Sequence, residues 1–238
     1  MRATAICMRM ILLPMLATLS LACDSASADR MPEFDIHFVV LTKSPEGNGI
    51  ARVEQLQREV DVLNRFFVTE KRESIVRFKF KSATLYGEAI RSACELARLG
   101  DLEKPLDTDA ATALFNACMD GRIRDPHAIN FYVYDAYAPG QGYMDATGHG
   151  RRNSGRPFVF LDWRRLNHGE QAAEEHEMGH AFGLEHICAP GAKRSTPTNI
   201  MASADCGKGS GGLRNIGFDQ RQVETILMNA DRIIRRLR

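Results

Sequence analysis

The sequence predicts a single α+β domain, and three observations carry that reading. Five short segments are rich in β-branched and aromatic residues, and most of them alternate apolar with polar positions, as half-buried strands do. Longer segments repeat apolar residues at helical spacing, one early in the chain and one at its end. Between the last strand and the last helix, residues 176–186 read His-Glu-Met-Gly-His-Ala-Phe-Gly-Leu-Glu-His, a pattern that puts chemistry on a helix.

Residues 35–42 alternate around Ile36, Phe38 and Val40 and read as the first strand. Residues 49–69 follow as a helix, with Ile50, Val53, Leu56, Val60, Leu63 and Phe67 on one stripe. Residues 75–86 are a second strand. Two short helices are expected at 88–99 and 109–119, carrying Cys94 and Cys118, and residues 87–126 read as an insertion stapled to itself. Strands follow at 127–136, with Ile129, Phe131 and Val133 on one face, at 143–149 between glycines, and at 157–163, a buried run. The histidine-bearing helix is expected to start at Asn167, with Glu170 three residues on in a capping-box pattern, and to run to about Phe182. In the last helix Asp219 caps, Gln222 sits three later, and Phe218 can staple onto Val223.

Two histidines four apart share one helical face, so His176 and His180 can reach one metal ion, with Glu177 between them to handle a proton. A third ligand at His186 needs the helix to stop first, and Gly183 is the residue type that tolerates the left-handed turn ending a helix. A bare His-Glu-x-x-His arises by chance in roughly one chain of this length in a hundred, the extended pattern in roughly one in a hundred thousand. Fifteen residues after His186 comes Thr198-Asn199-Ile200-Met201-Ala202-Ser203. A methionine turn at this position is the second signature of the metzincin zinc proteases, and the chain resembles that family.

The resemblance implies that His176, His180 and His186 hold one catalytic Zn2+, that Glu177 is the general base and that Met201 is the Met-turn residue. It implies a twisted, mixed five-stranded sheet with the first helix and the active-site helix on one face, a Met-turn and a C-terminal helix. It implies an endopeptidase that hydrolyses peptide bonds with a zinc-bound water, acting on protein or peptide substrates along the edge strand at 143–149. A structural Ca2+ is left open. Ile187, after the third histidine, does not assign a subfamily. Ser203 stands where some subfamilies place a tyrosine, which makes the site matrixin-like in that respect. The resemblance covers most of residues 29–238 in order of elements, but its specific motifs occupy only 167–203. Two other readings stand beside it: a non-catalytic, zinc-stabilised peptide-binding protein, and a zinc hydrolase of a non-peptide amide. Glu174, Glu175 and Glu185 read as a solvated helix face, and His149 as an exposed loop histidine.

Residues 1–28 read as a signal peptide: a basic start at Arg2 and Arg9, an apolar run at 11–22 too short to span a bilayer stably, and an Ala26-Ser27-Ala28 cleavage pattern. The alternative is a lipoprotein anchored through Cys23, in the imperfect lipobox Leu19–Cys23. Both readings export the protein. The remainder, about 210 residues, suffices for one enzyme-sized domain, residues 29–238. No later run is long enough for a transmembrane helix. The net charge of +1 shows no basic field for nucleic acid. An exported chain with Cys94, Cys118, Cys188 and Cys206 suggests two disulfides, and three pairings are open; the local pairs Cys94–Cys118 and Cys188–Cys206 are favoured. Little room separates the expected cleavage point from the first strand. Either the enzyme is made active or a protein inhibitor restrains it.

Overall fold

The computed structural model describes residues 31–99, 106–136, 148–166, 173–203 and 211–238. The expected leader with Cys23, the cap at Asn167 and Glu170, most of the expected strand at 143–149, and Cys206 lie outside the described residues. The compact unit Met31–Arg238 holds every described element.

A five-stranded mixed sheet organises the unit. In chain order the strands are β1 (Glu33–Val40), β2 (Arg77–Thr84), β3 (Ile129–Tyr134), β4 (Gly148–Arg151) and β5 (Phe158–Asp162). In space they run β2-β1-β3-β5-β4. The first four in this order are parallel, and β4 lies antiparallel to β5 at the edge. Central β3, Ile-Asn-Phe-Tyr-Val-Tyr, is buried at all six positions. Near-continuous apolar runs suit strands of a parallel sheet that is covered on both faces.

One face carries helices α2 (Val53–Phe66), α5 (Ala173–Ala181) and α6 (Gln220–Leu237). Phe34, Ile36, Phe131, Val133 and Leu161 of the sheet share a core with Leu56 and Val60 of α2, Met178 and Ala181 of α5, and Ile226 and Ile233 of α6. Phe34, Phe67, Phe78, Phe182 and Phe218 form an aromatic knot in this core, with Phe67–Phe218 centroids 4.7 Å apart and Phe34–Phe182 5.2 Å. Phe182 follows α5 directly, so the knot fixes the end of that helix.

The second face is covered by the described residues within 87–126. Val39, Tyr132, Tyr134, Phe158 and Phe160 pack against Leu96, Ala111, Phe115 and Ile123. This segment is therefore a third layer of the domain, which its sequence alone did not reveal. Its helical pieces among the described residues are α3 (Tyr86–Ala89), a 3-10 turn at Glu95–Arg98 and α4 (Thr108–Ala117). The helix expected at 88–99 does not form as one piece. Ser92 Oγ accepts a hydrogen bond from the Cys94 amide and donates to Asp120, and such local serine bonds compete with helix.

The helix expected at 49–69 is also divided. Ser44 caps α1 (Pro45–Ile50), with its Oγ accepting from the Gly47 amide, and α2 starts afresh at Val53 after an extended Arg52. Ser44-Pro45 is a start signal, serine at the cap and proline in the first turn, that the hydrophobic stripe had obscured. At the end of the chain, α6 begins as expected: the Gln222 amide donates to Asp219 and the Asp219 amide donates to Gln222.

Cys94 and Cys118 are joined by a disulfide, Cα atoms 5.4 Å apart and 24 residues distant in sequence. Cys188 is also disulfide-bonded. A cross-link closing a loop of that length stabilises by about 3.5 kcal/mol in the chain-entropy model. The Cys94→Ser/Cys118→Ser double variant should lose about that much stability in urea unfolding, and an unreduced digest of the native chain should contain the peptides of Cys94 and Cys118 as one mass. Two separate alkylated peptides would contradict the cross-link.

Candidate metal centre

Helix α5 carries His176 and His180 one turn apart, and its end is built to bring in His186. Gly183 has φ +89°, the left-handed conformation that suits glycine. The Leu184 amide donates to the Gly179 carbonyl and the Gly183 amide to the His180 carbonyl, the paired bonds of a Schellman turn. A β-carbon on Gly183 would meet Asn229 Nδ2 at 3.0 Å, and Asn229 itself donates to the Phe182 carbonyl from α6. Space and backbone conformation both favour glycine here.

The three Nε2 atoms converge. They lie 3.0 Å apart for His176–His186, 3.0 Å for His180–His186 and 3.2 Å for His176–His180. His176 Nδ1 donates to the Ile200 carbonyl and His180 Nδ1 to the Leu184 carbonyl, each at 2.8 Å. A carbonyl oxygen only accepts, so in both rings the hydrogen sits on Nδ1 and Nε2 presents a lone pair. Burial holds His176 neutral, lowering its pKa to about 2, with the Arg214 charge acting in the same direction. Burial lowers His180 as well.

Met201 is fully buried and packs against α5 at Gly179. A β-carbon on Gly179 would stand 2.4 Å from Met201 Sδ, so the thioether fills the space that glycine leaves on α5. The turn holding Met201 is fixed from several sides. Asn199 Oδ1 accepts from the Met201 amide, and the Asn199 carbonyl accepts from Ala202. Asn199 and Gln222 exchange hydrogen bonds through their side-chain amides, which ties the turn to the cap of α6. The Ile187 amide donates to the Met201 carbonyl, where the short strands β6 (Ile187–Cys188) and β7 (Ala202–Ser203) pair. Ser203, at the position considered for a tyrosine, is buried.

Glu177 projects toward the edge strand. Its Oε2 accepts from the Gly150 amide at 2.8 Å. Burial pushes its pKa up to about 7, against the opposing pull of that amide and of Arg214 and Arg165. Arg214 Nε donates to the Ala202 carbonyl, and this residue also has a positive φ of 53°.

Two expectations for the surrounding residues are corrected. Glu174 and Glu175 are buried, 1% and 0% exposed, while Glu185 is exposed. Helix α5 runs between the sheet, α2 and the turn at Met201, and no side of it from Glu174 to Gly179 faces solvent. Burial and the neighbouring carboxylates of Glu175 and Glu59 push Glu174 well above the ordinary carboxylate range. A sequence signal existed: the helix lacks the separate polar and apolar faces of a surface helix. His149 lies in β4, half-buried and paired with Phe160, not in an exposed loop. Sequence reasoning gave no role to Asn199, Arg214, Gly148 or Gly150, and it read Gln222 only as a helix cap.

No protein-family model and no curated protein matches the chain. Among solved structures it is similar to archaemetzincin from Methanopyrus kandleri, at 19% sequence identity and a TM-score of 0.39, over 86% of this chain and 99% of that one. A likeness at that level assigns neither family nor activity to this chain.

Proposed function

We propose that the protein is an exported zinc-dependent peptidase, with His176, His180 and His186 holding one zinc ion and Glu177 acting as general base. The observation that carries this reading is the convergence of the three Nε2 atoms within 3.0–3.2 Å. Two lone pairs facing each other across 3.2 Å, with no hydrogen between them, repel; a shared cation turns that repulsion into binding. The donor set suits zinc, which takes imidazole nitrogens and, in catalytic sites, three protein ligands with one position open. Carbonyl anchors on the second nitrogens of His176 and His180 are the support that metal-bound histidines need.

Bound there, zinc would supply Lewis acidity and make water acidic near neutral pH. The chain's own residues do the rest. Glu177 Oε1, the carboxylate oxygen that the Gly150 amide does not hold, accepts the proton of the attacking water and later passes it to the leaving amine. The edge strand β4 runs beside Glu177 and suits backbone pairing with an extended peptide. Export is supported by the leader-like residues 1–28 and agrees with the Cys94–Cys118 cross-link, since disulfides persist in oxidising compartments. Among the described residues no helix is long and apolar enough to cross a membrane. The matrixin-like subfamily and the single-domain extent 29–238 belong to the same proposal. A pure peptide binder would have no use for a buried carboxylate beside the histidines that is not one of the converging groups.

The Glu177→Gln variant should keep its fold and bind one zinc per chain, yet lose hydrolysis of a peptide library by about 100- to 10,000-fold. Cleavage at the wild-type rate would refute the assigned base. Elemental analysis should find close to one zinc per chain in wild type, and His180→Ala or a chelator should remove it. A refolded protein that takes up no zinc from excess metal would refute the metal site.

A further inference from the structure

The edge strand carries glycine at two alternate positions, and conformation does not explain either one. Gly148 and Gly150 are absent from the glycines with positive φ. Space explains both. In the antiparallel register Gly148 stands opposite Leu161 and Gly150 opposite Val159, residues whose side chains belong to the core shared with α5. Side chains at 148 and 150 would therefore enter the gap between sheet and helix, whereas His149 faces the other way, with Phe160.

What fills that gap is Glu177. A β-carbon on Gly150 would lie 1.7 Å from the Glu177 carbonyl oxygen and 3.0 Å from the Ala181 amide nitrogen, so this glycine sets how closely strand and helix backbones approach. A β-carbon on Gly148 would lie 2.6 Å from Glu177 Cγ and 3.0 Å from Oε1, so this glycine leaves room for the side chain itself. The Gly150 amide then holds Oε2 at 2.8 Å.

We propose that Gly148 and Gly150 are positioning residues for Glu177: together they set one rotamer of the carboxylate, with Oε2 held by the Gly150 amide and Oε1 left for the reacting proton. The inference rests on the reading of Glu177 as general base. It adds that the base is aimed by the edge strand and not by α5 alone.

The test uses Gly148→Ala in the full chain, because its new methyl group meets a side chain rather than a backbone. The variant should keep its zinc content while kcat falls by about tenfold or more and KM stays within about twofold. A purely structural role would instead lower zinc content, or raise KM along with the loss of kcat. Independently of activity, urea unfolding of Gly148→Ala in wild-type and Glu177→Ala backgrounds forms a double-mutant cycle. The alanine should destabilise the wild type and cost nothing measurable once the Glu177 side chain is gone. Equal destabilisation in both backgrounds, or a wild-type kcat for Gly148→Ala, would overturn the proposal. If wild type itself cleaves no peptide, the assigned function fails, and the cycle still decides whether Gly148 and Glu177 are coupled.

Discussion

Two imidazole lone pairs facing each other across 3.2 Å are the constraint on which the rest of the structure depends. Free in solution, the rings would turn apart or take up a proton between them. Here neither happens, because each ring is tied at its far nitrogen to a carbonyl that another element supplies. The Leu184 carbonyl reaches His180 only because Gly183 reverses the chain after α5. The Ile200 carbonyl reaches His176 only because the turn at Met201 is pinned by Asn199, and Asn199 is pinned by Gln222 at the start of α6. The last helix of the chain thus sets the tautomer of the first histidine. Fixing the rings before a cation arrives removes part of the ordering cost of binding it.

The same constraint shapes the layers. A helix that presents histidines on one side, a glycine seat for Met201 on another and Glu177 toward β4 has little surface left for solvent. It must be held by close packing, and the sheet beneath it must be rigid. A parallel sheet needs both faces covered. Residues 87–126 cover the second face through Leu96, Phe115 and Ile123, although they carry none of the site residues. Their disulfide and the Ser92–Asp120 bond act beside helix α4 in ordering this layer.

The site was more legible in the sequence than the fold that holds it. Fixed offsets from His176 to His186 state a chemical requirement that few other arrangements meet, and Gly183 states the turn that this requirement needs. Periodicity located β1, β2, β3 and β5 to within a few residues, because β1, β3 and β5 take their burial from the sheet itself, whereas the strand expected at 143–149 meets β4 only at residues 148 and 149. It failed where local bonds outweigh a stripe, at Ser44-Pro45 and at Ser92. It also failed at Glu174 and Glu175, where charge suggested solvent and packing decided otherwise. Gly148 and Gly150 carried no signal alone, because the reason for each lies in Glu177, its side chain 29 positions from Gly148 and its backbone 27 positions from Gly150, and such contacts become visible only once strand and helix are placed side by side.

The buried carboxylates then have distinct fates. Glu174, with the carboxylates of Glu175 and Glu59 beside it, is pushed well above the ordinary carboxylate range, which favours its neutral form in the interior. Glu177 is equally buried but has the Gly150 amide and the charges of Arg214 and Arg165 in its favour, and these hold it near the midpoint at neutral pH. A divalent cation on the neighbouring imidazoles would move that balance toward the ionised form, since an opposite charge within a few ångströms favours a carboxylate. If zinc binds as proposed, metal binding and the readiness of Glu177 as base would be coupled in this arrangement. In the proposed mechanism, where burial pushes the Glu177 pKa up to about 7, the cation would favour the ionised carboxylate that a general base needs.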